Sequence, residues 1–231
     1  MRTGHDFTGQ MVRWAHGRLR ELEQMDLCGF VFKSRSPSSG MGGVKVYSSS
    51  GVPTRRGKGI FAKEFMSRFP LLPVEDEGRL HDPGLRENFI ERIFVFRRWK
   101  EMERGGRDRG ALVSFHSSHK LLILSHSGKH YRTLGRLVAE AKRYGLEELY
   151  ERYVSVLMDG LRLIATVKKN TNVLFHIMGY FKKKLTADEK QELAGVIDHY
   201  HGGLIPLIVP VVLLNHFVRK YDEPYLKSQY Y

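Results

Sequence analysis

Two pairs of histidines stand at spacings that can do chemistry. His116 and His119 are three residues apart, and His126 and His130 are four apart. On a helix such pairs share a face, where imidazole nitrogens hold a metal ion once carboxylates or thiolates complete the set. No carboxylate lies within this stretch, and Ser127-Gly128 reads as a helix break between the pairs. No metal site is expected. Two readings remain. One is a pocket lined by His116, Ser117, Lys120 and His126, whose donors would meet a phosphate or a base edge. The other is a set of satisfied structural polar groups.

A second constellation is cationic. Lys129, Arg132, Arg136 and Arg143 are stepped by three, four and seven, which places them on one side of a helix. Lys168-Lys169 and Lys182-Lys183-Lys184 fall at expected helix ends, and Tyr131, Tyr144, Tyr180 and Phe181 are interleaved with them. Phosphates attract Lys and Arg, and unstacked RNA bases attract aromatic faces. Against this, cations at helix C-termini also complement the helix dipole, and aromatics also build cores. Gly57-Lys58-Gly59 ahead of a helix has a phosphate-cradling look, but it lacks the spacing and the Lys-Ser/Thr ending of a P-loop and reads as a tight loop. Glu75-Asp76-Glu77 reads as a solvated turn.

These residues must be held by elements that the hydrophobic periodicity outlines. A helix is expected over 8–26, from Met11, Trp14, Ala15, Leu19 and Leu22, and then a strand over 28–32. A Ser/Gly-rich stretch over 34–43 leads to a second strand, 44–47. Gly51, Pro53, Gly57 and Gly59 mark loops, and a helix over 60–69 stops at Pro70. Asp82-Pro83 starts another helix, with Pro at its first position. A charged, Gly-containing break at 104–109 separates residues 1–103 from 104–231. Beyond it only helices are expected, at 111–125, 131–144, 146–168, 172–185, 187–201 and 204–221. Thr186 and Glu189 have capping-box spacing at the start of one of them.

Composition sets the frame. The formal net charge is +13 over 231 residues, which speaks of partners and not of fold. Residues 1–103 carry +5, residues 104–185 carry +10, and residues 186–231 carry −2. A localised excess is what a nucleic-acid-binding face displays. The single cysteine, Cys28, makes no internal disulfide and cannot by itself hold zinc or an iron–sulfur cluster. With a polar N-terminus, it points to the reducing cytoplasm. The apolar run 204–214 is about half a bilayer span, contains Pro206 and Pro210, and reads as a buried helix with no membrane role.

Two stretches resemble known families. Gly29-Phe30-Val31-Phe32-Lys33, Ser36-Pro37-Ser38-Ser39-Gly40, Val44-Lys45-Val46-Tyr47, Gly57-Lys58-Gly59-Ile60-Phe61-Ala62 and Phe69-Pro70-Leu71-Leu72-Pro73-Val74-Glu75 resemble the C-terminal part of the TudS thiouracil-desulfidase family. Phe115-His116-Ser117, Lys120, His126-Ser127, Tyr131, Leu134-Gly135, Asn172-Val173-Leu174, His176, Gly179-Tyr180-Phe181 and Pro206-Leu207-Ile208 resemble the YbgA family. The fused arrangement is similar to the RudS desulfidases, which remove sulfur from 4-thiouridine in tRNA with a [4Fe–4S] cluster. The resemblance adds Tyr131 and His176 to the pocket candidates. It also implies three cluster cysteines. Two lie in a segment without counterpart here, and the third falls in a Ser-Pro-Ser-Cys-Gly motif. Ser39 occupies that cysteine's position, so Ser36, Ser38 and Ser39 are the remnant of the family's catalytic motif. A serine hydroxyl is a poor ligand for soft metal centres.

The expectation is therefore a mixed, mostly α chain, an incomplete α/β remnant over 1–103 followed by an all-α domain over 104–231. It would bind tRNA and hold no cofactor of its own. The alternatives are a desulfidase active once the missing segment or a partner chain completes the domain, and a basic scaffold without RNA.

Overall fold

In the computed structural model, residues 5–47 and 51–231 are described. The fold is mostly α with a small α/β part. The chain divides into two compact units, Met1–Lys100 and Glu101–Tyr231.

The first unit opens with helix α1, Thr8–Glu23, which turns Ala15, Leu19 and Leu22 inward at helical spacing. Strand β1, Phe30–Phe32, follows, then β2, Val44–Tyr47, and β3, Pro53–Gly57. Helix α2, Ile60–Arg68, β4, Val74–Asp76, and the long α3, Pro83–Arg104, complete it, with α3 running past the division. β1 pairs with β4 in parallel, and β2 pairs with β3 antiparallel across an irregularity between Val44 and Val46. The stretch expected to be loop at 51–59 therefore holds a strand. Its Gly and Pro content weakens strand propensity, but pairing with Val44–Tyr47 overrides it. The core joins Ala15, Leu19 and Leu22 to Phe32, Phe61, Phe65 and Leu72, with Phe30 and Phe69 against it. Each leucine and phenylalanine among them contributes about 1.5–3 kcal/mol when fully buried. Trp99 of α3 is also buried, whereas Trp14 of α1 is mostly exposed.

The second unit is helical: α4 Arg109–His126, α5 Gly128–Ala139, α6 Leu146–Leu161, α7 Val167–Tyr180, α8 Ala187–His201, α9 Ile208–Lys220 and the short α10 Pro224–Lys227. α4 is central and packs against α5, α6 and α7. The caps explain the boundaries. Asp108 Oδ1 accepts from the amides of Gly110 and Ala111 at the start of α4. The capping box forms in full: Thr186 Oγ1 accepts from the Glu189 amide at 3.2 Å, and Glu189 accepts back from the Thr186 amide at 2.8 Å. Hydrogen bonds from Lys220, Tyr221 and Thr186 hold the Glu189 carboxyl down to about 2.

The expected helix over 146–168 is two helices, with a break after Leu161 before Thr166 caps α7. The expected helix over 131–144 ends at Ala139 and gives way to a short 3-10 turn at Ala141–Arg143. The apolar run 204–214 is not buried as expected. Leu204, Ile208, Val209 and Val212 are exposed, and only Pro210 and Leu214 of it are buried. Periodicity finds an apolar helix but cannot say how much of it the fold covers. Among the described residues no helix is long and apolar enough to cross a membrane.

Candidate functional site

The break at Ser127 sets up the site. Ser127 has extended backbone, φ −160°, and its hydroxyl caps α5 by accepting from the His130 amide. α5 is thus a separate helix packed between α4 and α6. It buries Leu134 and leaves Lys129, Arg132 and Arg136 exposed. None of the three has a carboxylate within ion-pair distance among the described residues. Arg143 does not join them. It sits beyond the end of α5 and pairs with Glu140 at 3.3 Å.

The lysine clusters divide in the same way. Lys168, Lys182 and Lys183 are exposed. Lys169 is a structural lysine whose ammonium donates to the carbonyls of His126, at 2.7 Å, and Ile164, at 2.9 Å. It thereby satisfies an orphan carbonyl at the end of α4. Lys184 pairs with Glu223 at 2.6 Å and donates to the Tyr221 carbonyl. Phe181, an expected base-stacking candidate, is fully buried in the core of the second unit with Leu174, Ile177 and Phe217. Tyr144 lies under the Arg152 guanidinium, 5.2 Å from its ring centroid.

The histidine pairs do not converge. His116 Nδ1 pairs with the Tyr153 hydroxyl of α6 at 3.0 Å. His119 Nδ1 lies 2.8 Å from the Phe115 carbonyl, with its ring stacked on Phe115. His126 Nδ1 donates to the Leu163 carbonyl at 2.6 Å. His130 bridges Ser127 Oγ, at 2.8 Å, and Asp159 Oδ2, at 3.0 Å, and so ties α5 to α6. No group of three or more His, Cys, Asp or Glu side chains among the described residues could hold a metal ion.

Of the pocket candidates, His116, Lys120, Tyr131 and His176 border one polar-aromatic cluster. Lys120 Nζ lies 4.7 Å from the Tyr225 ring centroid. Tyr225 of α10 stacks on Tyr180 of α7 at 4.9 Å and 21°, and His176 meets Tyr180 edge-on at 5.7 Å. Burial and the neighbouring Lys120 lower His116 from its ordinary 6.5 to about 4, so the ring is neutral at physiological pH. Burial raises the phenols of Tyr180 and Tyr225, and Tyr131 lies close enough to add to the effect on Tyr225. The other two candidates lie apart. Ser117 contributes its carbonyl, which accepts from Gln229 at 2.8 Å. His126 is ten residues further along α4, about 15 Å at the helical rise. Tyr225, Tyr153 and Asp159 are not readable from the sequence as site residues, because they arrive from distant helices.

In the first unit, Ser36, Ser38 and Ser39 form a closed turn. Ser36 Oγ lies 3.2 Å from Ser38 Oγ and accepts from the Ser39 amide at 3.2 Å. The Ser38 carbonyl accepts from the Ala62 amide and so occupies the start of α2. A Cβ at Gly59 would collide with the Ser38 backbone, which identifies Gly57-Lys58-Gly59 as a tight packing loop. Glu75 and Asp76 are buried, against the expectation of a solvated turn. Glu75 pairs with Arg79 at 2.9 Å, and Asp76 accepts from the Gly78 amide at 2.8 Å. The parallel pairing of β4 with β1 draws them inward. These donors do not fit an iron–sulfur cluster. The turn offers hydroxyls, and Cys28 contacts the Asp26 carbonyl at 3.7 Å in a different segment.

Comparison with known proteins fits this division. Residues 120–231 match the family described as "Protein of unknown function (DUF1722)", and residues 1–77 match 2-thiouracil desulfurase. The curated Escherichia coli (strain K12) protein "Uncharacterized protein YbgA" is 36% identical over 146 residues, 63% of this chain and 86% of the relative. The chain belongs to the YbgA family. No solved structure matches. Lys120, Tyr131, His176, Tyr180 and Tyr225, together with the three free cations of α5, all fall inside the segment that matches DUF1722, whereas the serine turn falls inside the desulfurase-like segment. The YbgA-family part therefore carries both the cationic face and the aromatic cluster.

Proposed function

We propose that this YbgA-family chain binds tRNA through the exposed face of α5, and that it does not desulfurise a thiolated base unaided. The observation that carries the first part is the row Lys129, Arg132 and Arg136, exposed and without a described carboxylate partner, in the region holding most of the net charge. Unneutralised cations on one face attract a phosphate backbone, while Tyr131 on the same helix and Tyr180 nearby offer aromatic surface to bases. The desulfurase-like match of the first 77 residues supports a thiolated nucleobase as the family's substrate class. That the base belongs to tRNA rests on the resemblance to 4-thiouridine desulfidases. The second part rests on Ser39, whose hydroxyl stands where that family places a cluster cysteine.

The test is tRNA binding as a function of salt. Reversing two charges with Arg132→Glu and Arg136→Glu should weaken binding at least about tenfold and lower the salt slope by about two, whatever the tRNA sequence, because phosphate contacts position without reading sequence. Both side chains are exposed, so stability should move by no more than about 0.5 kcal/mol per site. Unchanged affinity and slope in a folded variant would remove the basis for the reading.

A further inference from the structure

The lysines of the second unit's α10 end differ in one respect. Lys184 is matched by Glu223, Lys220 by Glu189 and Lys227 by Asp222. Lys120 is half-buried and has no carboxylate within ion-pair distance among the described residues. Its contact is the face of Tyr225, at 4.7 Å. A ring face leaves the three N–H donors of an ammonium, and its charge, open to an anion. A positive charge held in that way is short of an anion.

Its surroundings offer donors, and the carboxylate that acts on Tyr180, Glu223, is already paired with Lys184. Tyr225 is fixed by stacking on Tyr180 and carries Lys120 over its ring. His116, one turn before Lys120 on α4, is anchored to Tyr153 through Nδ1 and is neutral at physiological pH, so it adds no rival charge. Its Nε2 faces Gly135, 4.0 Å from where a Cβ would stand, so α5 comes close to α4 at this point. Tyr131, one turn earlier on α5, is close enough to act electrostatically on Tyr225 and adjoins Arg132 in the chain. Phenol hydroxyls donate to anionic oxygens, and an ammonium is a strong phosphate binder.

We propose that Lys120, with the hydroxyls of Tyr131, Tyr180 and Tyr225, forms a phosphate-binding site at the meeting of α4, α5, α7 and α10. The phosphate can be a free ion or a diester of the RNA backbone. In the second form the inference rests on the tRNA reading above, with the polymer continuing from the α5 face onto Lys120.

The experiment titrates the full chain with inorganic phosphate, and separately with a dinucleoside monophosphate, at constant ionic strength set by chloride, while following tyrosine-ring NMR resonances. Saturable shifts confined to Tyr131, Tyr180 and Tyr225 are expected in the wild type and in Lys120→Arg. In Lys120→Met the affinity should fall at least about tenfold. Arg132→Glu/Arg136→Glu should leave the response in place. A response to the dinucleoside, together with a tRNA salt slope lowered by about one in Lys120→Met, assigns the site to the RNA backbone. A response to inorganic phosphate, with tRNA binding unaffected by Lys120→Met, assigns it to a free phosphate. No saturable shift in the wild type overturns the site without any variant, as does an unchanged response in folded Lys120→Met. The tRNA reading would then still stand or fall on the α5 reversal alone.

Discussion

His116 makes the fold sensitive to mild acid. Its folded-state value is lowered from 6.5 to about 4, first by burial and then by Lys120. Above pH 6.5 the ring is neutral in both folded and unfolded chains and contributes no pH dependence. As pH falls below 6.5 the unfolded chain takes up a proton that the folded chain refuses, so stability is lost progressively until about pH 4. At 1.36 kcal/mol per unit the full effect is about 3 kcal/mol, and residual solvent access reduces it to about 2. The perturbation is His116→Gln, which keeps a partner for the Tyr153 hydroxyl and removes the titration. Urea unfolding followed by far-UV circular dichroism at pH 7, 6, 5 and 4 should show the wild type losing about 2 kcal/mol more than the variant. Other carboxylates and histidines titrate in both proteins and cancel in the difference. Parallel pH profiles, or an NMR titration placing the His116 midpoint near 6.5, would refute the reasoning.

Two further outcomes test other parts of the structure. Gly160 of α6 lies against His130, and an added Cβ would stand 2.8 Å from both Cβ and Cγ of that residue. Gly160→Ala should gain about 1 kcal/mol of helix propensity but lose more by forcing α5 away. We expect about 1–2 kcal/mol net destabilisation in chemical unfolding, and a stabilised variant would contradict the close packing. Anaerobic reconstitution with iron and sulfide should leave the protein without cluster absorption, because Ser36, Ser38 and Ser39 offer hydroxyls. A visible charge-transfer band with stoichiometric sulfide would show that the donor set has been misjudged.

Local chemistry was legible in the sequence, and long-range partnership was not. Ser127-Gly128 announced the α4–α5 break, Asp82-Pro83 the start of α3, and Thr186 with Glu189 a capping box, because each signal is complete within four residues. The cationic row was visible over Lys129, Arg132 and Arg136 because all three lie on one helix, and it failed at Arg143, where the helix had already ended. What surrounds Lys120 could not be read. Tyr180 and Tyr225 come from 60 and 105 residues away, and nothing in the spacing of His116 points to Tyr153. Spacing also cannot separate Tyr180, half-buried beside the cluster, from Phe181, its neighbour, which fills the core. The lysines show a similar limit. Lys168 and Lys169 are adjacent and identical in charge, yet one faces solvent and the other ties down two carbonyls.

The placement of the tryptophans has an optical consequence. The sequence has two, Trp14 on α1 and Trp99 on α3, and both belong to the first unit. Tryptophan emission therefore originates in that unit, with Trp99 moving from a buried to an aqueous environment on unfolding. The far-UV dichroic signal comes mainly from the helices of the second unit. One denaturation experiment read in both channels therefore weights the two units differently without any label. Non-coincident transitions would mean that they unfold independently, and coincident ones that they unfold together.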